Sequence, residues 1–152
     1  MSAHPKVDKK KEELITFGYD LFGENGSNLK YSLFNKDNEK TNYMDIPIRG
    51  PVMIHDMAIT GEHVIFNDLP LQFKPLNVNI GKQVFEFNKN MSARYGVMKR
   101  NETDKKNIKW FDLPNHYVYH FVNAWDSTNE EGDEIVTMFG CALSKVNLEF
   151  KH

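Results

Sequence analysis

Residues 115–122 read Asn115-His116-Tyr117-Val118-Tyr119-His120-Phe121-Val122, and this stretch admits two structures. As a helix it would set His116 and His120 on one face, the spacing of a zinc pair. As a strand it separates their Cα atoms by about 13 Å, because each residue advances about 3.3 Å. Tyr117, Val118, Tyr119, Phe121 and Val122 are aromatic or β-branched, which favours the strand. Metal–nitrogen bonds of about 2 Å cannot bridge such a gap, so at most one of the two imidazoles joins a given ion. The residues alone do not choose which.

The same texture continues in both directions. Short β-rich runs at 14–19, 29–34, 43–48, 84–87, 93–98, 108–113, 117–122, 134–139 and 146–150 are predicted as strands. Residues 52–59 and 64–66 flank Gly61-Glu62 as a hairpin. Polar turns fall at 23–28, 35–40, 99–107 and 127–133, and the Lys9–Glu13 charge run reads as a solvated turn. Residues 69–83, with Pro70, Pro75 and Gly81, read as a long connection. About ten short strands point to an all-β architecture. A propeller blade takes about 40–50 residues, so the chain holds about three blades at most. Closure needs at least four, which excludes a free-standing propeller. With no repeat visible, spacing alone does not separate propeller from sandwich.

The chain has 152 residues, 40% hydrophobic and 26% charged, enough for one domain (1–152) with a real core. A net charge of −2 gives no electrostatic case for nucleic acid or an anionic membrane. The single cysteine, Cys141, follows a strand-like run and is expected to be inert, buried packing. No apolar run approaches the ~18 residues of a membrane span, and no signal-peptide pattern is visible.

Three stretches, the last overlapping 115–122, each hold a histidine: Ser2-Ala3-His4-Pro5-Lys6-Val7-Asp8, Met53-Ile54-His55-Asp56-Met57-Ala58-Ile59-Thr60, and Tyr119-His120-Phe121-Val122-Asn123-Ala124-Trp125. His4, His55 and His120 stand 51 and 65 residues apart. Such intervals suit ligands delivered to one point by successive structural units. His55 could equally be a hydrogen-bonded core residue of an apolar strand. His63, beside a turn and next to Glu62, and the terminal His152 are expected to face solvent. No Gly-rich phosphate loop, His-Glu-x-x-His or Gly-x-Ser-x-Gly motif competes.

In this order and at these intervals, the three stretches resemble the histidine motifs of the carotenoid cleavage oxygenase family. Ala93-Arg94-Tyr95-Gly96-Val97, Ile108-Lys109-Trp110-Phe111-Asp112-Leu113-Pro114 and Gly132-Asp133-Glu134-Ile135-Val136 agree as well. The resemblance runs from residue 2 to about 141 and selects His120 over His116. Thr16-Phe17-Gly18-Tyr19 and residues 66–75 are similar to the plant enzymes that cut carotenoids at the 9,10 (9′,10′) double bonds, with zaxinone-forming enzymes close rivals.

The resemblance implies a seven-bladed β-propeller holding Fe(II) through four neutral histidines, three of them His4, His55 and His120 here. It implies an O2-dependent split of a polyene double bond of a carotenoid or apocarotenoid into two carbonyl products. It also implies a cytoplasmic or plastid location and peripheral membrane contact by the full-length protein. The fourth histidine motif has no counterpart before His152, and the second-sphere glutamates find no position. The expectation is therefore a propeller fragment of two to three blades, neither stable nor active alone. A non-catalytic remnant or apocarotenoid-binding module is one alternative, and a zinc-binding β-domain is the other.

Overall fold

A computed structural model describes residues 4–23 and 26–148. The first sheet is a four-stranded antiparallel meander in the order β1-β2-β3-β4: Lys6–Asp8, Glu13–Gly23, Gly26–Phe34 and Lys40–Pro47. Alternation builds it. Leu29, Tyr31 and Leu33 point inward from β3, and Met44 and Ile46 from β4, while the intervening residues face outward. The turn after β3 is held by Asn35, whose Oδ1 accepts the N–H groups of Asp37 (3.0 Å) and Glu39 (2.9 Å).

The second sheet has the order β10-β9-β6-β5, from Lys109–Leu113, Ala93–Lys99, His63–Asp68 and Ala58–Ile59. Between β6 and β9 the chain makes a small hairpin, β7 (Leu71–Phe73) and β8 (Phe85–Phe87), around a 3-10 turn at Pro75–Ile80. Gly96 is required by close approach. It pairs with Trp110 across β9 and β10, and a Cβ there would lie 2.8 Å from the indole ring. Arg94 covers the same indole, its guanidinium carbon 4.1 Å from the ring centre. The third sheet is two-stranded among the described residues: β11 (Tyr117–Thr128) and β12 (Glu134–Leu143).

The second sheet is the filling of a sandwich. Val64, Phe66 and Met98 pack against the Ile15, Phe17, Tyr31 and Ile46 face of the first sheet. Ile65, Ala93 and Tyr95 pack against Tyr117, Val118 and Phe121 of the third. All six residues of β6 are therefore buried. Two full four-strand sheets and the start of a third match a β-propeller cut across its blades, within the two to three blades expected.

Several sequence expectations change. Only Ala58–Ile59 of residues 52–59 is strand; before it the chain touches β7 through a single Val52–Gln72 bridge. The expected turn at 23–28 is tighter, with β3 starting at Gly26; residues 24–25 lie outside the described residues. The connection 69–83 contains β7 and the 3-10 turn. Residues 146–148 form no strand, and 149–152, with His152, lie outside the described residues. Cys141 is on β12 but exposed, because that stretch of the strand is uncovered among the described residues.

Candidate metal centre

Each of the three histidines sits at the start of its own sheet. His4 lies two residues before β1, His55 three residues before β5, and His120 four residues into β11. Equivalent positions on successive sheets converge, so residues distant in sequence meet. The Nε2 atoms of His4 and His55 are 3.0 Å apart. The His120 ring centre is 5.0 Å from each of the other two. One nitrogen from each of the three lies within 4.8 Å of the others.

The donor set fits a metal. Bonds of about 2.1 Å at right angles place neighbouring nitrogens about 3.0 Å apart, the separation between His4 and His55. The group consists of imidazoles alone, with no carboxylate or thiol, which suits a borderline divalent transition metal better than Mg²⁺ or Ca²⁺. Burial, then the neighbouring His4 and His120, push the His55 imidazole below its ordinary pKa, against a smaller opposing pull from Asp56. A neutral imidazole has the lone pair a metal needs. Among the described residues, His120 is exposed and the other two are half-buried.

His120 owes its aim to an irregular strand. The pairing of β11 with β12 shifts register between Val118 and Phe121 and again between Phe121 and Asn123. Such bulges re-aim side chains and break strict alternation. His116, by contrast, has both ring nitrogens occupied. Its Nδ1 is 2.7 Å from the Pro114 carbonyl, which can only accept, so Nδ1 carries the proton; Nε2 then accepts from the Tyr95 hydroxyl at 2.7 Å. No lone pair is left for a metal, and the ring stacks on Tyr95 rather than joining the cluster.

Around the cluster, Asp56 is almost wholly buried, and Tyr119 approaches His55 edge-on at 5.7 Å. Asp56 carried no role in the sequence reading. The available signal was a carboxylate following an apolar run, which is costly to bury unless partnered. His63 corrects another expectation. It is buried, not solvent-facing, with Nδ1 2.7 Å from Asp126 Oδ1 and Nε2 3.7 Å from Glu134 Oε2. It ties the second sheet to the third, helped by the Thr60 hydroxyl, which donates to Asp126 at 2.8 Å. A groove of about 580 Å³ runs between β9–β10 and β12 and contains none of the three histidines.

The fold and this cluster define a propeller-type β-protein with histidines contributed one per blade to a shared centre. The chain belongs to the retinal pigment epithelial membrane protein family, whose profile matches residues 1–152. It is 42% identical over 149 residues to a carotenoid 9,10(9′,10′)-cleavage dioxygenase 1 of Pisum sativum, covering 97% of this chain and 26% of that protein. It is 41% identical over 149 residues to the corresponding dioxygenase of Crocus sativus, with the same coverages. Among solved structures, a Pseudomonas brassicacearum lignostilbene dioxygenase matches with a TM-score of 0.72 and 25% identity, over 90% of this chain and 28% of that one. The chain thus spans about a quarter of the length of the curated relatives it matches.

Proposed function

We propose that the whole protein to which these residues belong is an Fe(II) dioxygenase. Its reaction would cleave a polyene double bond of a carotenoid or apocarotenoid, and His4, His55 and His120 would supply three of the iron ligands. The observation that carries this reading is the convergence of the three imidazoles from three sheets. The names of the curated relatives support the substrate class. When bound, ferrous iron supplies the redox chemistry that O2 needs to react with an alkene.

The protein's own residues have a limited task. A C=C bond and O2 give two C=O bonds with no proton or electron left over, so no side chain need act as acid or base. The chain holds the three imidazoles converging, and burial favours the unprotonated form of His55. Tyr119 adds an aromatic wall beside His55, and burial raises its phenol above the ordinary pKa, keeping it uncharged.

The test is the whole protein loaded anaerobically with Fe(II), then given O2 and β-carotene or an apocarotenal. Loss of polyene absorbance with two carbonyl products, dependent on both iron and O2, is expected. Stoichiometric tight zinc without cleavage would instead establish the zinc-binding β-domain. No metal uptake at all would leave the non-catalytic remnant.

A peripheral membrane contact is favoured by a separate patch. Phe22 at the end of β2 and Leu76, Val78 and Ile80 on the 3-10 turn are all exposed, and the Phe22 ring lies 5.9 Å from that of Phe73, next to the turn. Exposed apolar groups clustered this way suit the interfacial zone of a bilayer, and no described helix is long and apolar enough to cross one. Replacing Leu76 and Ile80 together by Ser should release the protein from phosphatidylcholine vesicles in a sedimentation assay. Unchanged co-sedimentation would remove this patch from consideration.

A further inference from the structure

The Asp56 carboxylate touches all three histidine-bearing segments. Its Oδ1 accepts from the Lys6 ammonium at 2.7 Å and from the Met57 N–H at 2.9 Å. Its Oδ2 accepts from the Phe121 N–H at 3.0 Å. Lys6 is two residues from His4, Asp56 itself follows His55, and Phe121 follows His120. The Asn67 side-chain amide donates to the Asp56 backbone carbonyl at 2.9 Å, anchoring the residue to β6. Its side chain is only 2% exposed, so these donors are its solvation.

The geometry points to Asp56 as a positioning residue: one carboxylate that sets the mutual placement of three metal-binding imidazoles without touching the metal. The inference rests on the metal reading above. The distances between ligand and tie are one or two residues, too short for a flexible segment to absorb a shift. The Phe121 contact also falls at the residue between the two register shifts in β11, where ladder bonding is interrupted. There Asp56 supplements a ladder that, between Val118 and Asn123, pairs only at Phe121–Gly140. An asparagine cannot replace it, since an amide offers one accepting oxygen to three donors and turns an NH2 toward the remainder.

The test is Co(II) titrated into the apo form of the whole protein, followed by its ligand-field absorption. In the unaltered protein Co(II) should bind and show one band. Asp56→Asn should weaken binding by about 10–100-fold, the range for residues that orient metal ligands. Lys6→Met removes only the tie to His4. It should preserve the melting transition of the metal-free protein, weaken Co(II) by a smaller factor and shift the band at saturation. A purely stabilising Asp56 would lower the melting temperature and leave affinity and band alone. Should Asp56→Asn fail to fold, Lys6→Met decides, and an unchanged affinity and spectrum in that variant overturns the inference. Co(II) that fails to bind the unaltered protein overturns the metal reading and this inference together. Co(II) that binds unaltered and variant proteins alike overturns the role of Asp56 only.

Discussion

His120→Ala should eliminate tight metal uptake by the whole protein, and with it any polyene cleavage, while His116→Ala should leave both within a few-fold of the unaltered protein. His116 lies just before β11 and His120 on it, four residues apart, so the two substitutions change composition alike. What differs is the lone pair. His120 turns a free nitrogen toward His4 and His55, whereas both nitrogens of His116 are engaged by Pro114 and Tyr95. Losing a partner that merely orients a ligand costs about 10–100-fold in affinity, so losing a ligand should exceed that. His55→Ala should match His120→Ala. His116→Ala removes a contact to the buried Tyr95 hydroxyl, whose pKa burial pushes up to about 12, and should show as a modest fall in stability. Metal content by elemental analysis, read alongside activity, is the measurement. Equal losses from the two substitutions would refute the assignment of His120.

Asp68→Ala should cost about 3–5 kcal/mol of folding stability, the penalty for breaking a buried ion pair. Asp68 is fully buried at the end of β6. Its Oδ2 accepts from the Arg49 N–H and Nε (each 3.0 Å) and from Arg94 Nη2 (2.8 Å). Removing the carboxylate leaves two guanidinium groups facing each other around a cavity. Arg49 keeps its contacts to the Asp68 carbonyl and to Ser92, so its side chain stays in place and the repulsion is not relieved. Arg49 follows β4 and Arg94 lies on β9, so the damage falls where the first sheet hands over to the second. Urea unfolding of the whole protein would measure it, and a loss below about 1 kcal/mol would mean the pair is solvated enough to be dispensable.

The strands were legible because one-sided burial writes alternation into the sequence, as in Leu29, Tyr31 and Leu33. β6 was legible only in part. With both faces covered it loses alternation, and its polar members His63, Asn67 and Asp68 are buried through partners elsewhere. His63 looked solvent-facing because it sits by a turn next to Glu62, and its burial is supplied by Asp126 and Glu134 of the third sheet. Cys141 erred the other way, since an apolar run predicts cover that the described part of β12 lacks. For the site, strand geometry limited His116 and His120 to one ligand between them, and resemblance to a known family made the choice. The physical reasons for it, a locked tautomer at His116 and register shifts around His120, depend on partners across the fold. A register shift in particular belongs to two strands at once and leaves no mark on either alone.

The three histidines, each at the start of a different sheet, also bear on the order in which the chain can fold. The strand pairings within the first sheet join near neighbours along the chain, but the contacts between sheets span 51 residues from His4 to His55, 65 from Asp56 to Phe121 and 92 from Asp8 to Arg100. Closing such loops has an entropic cost that later contacts must repay, so sheets are expected to form before they dock. The imidazole cluster has no local precursor. A nascent chain can have two finished meanders and still lack the centre, because His120 is not yet in place. On the proposed function, metal capture by these three histidines has to follow their docking, and a chain caught before it presents three separate histidines with no shared affinity.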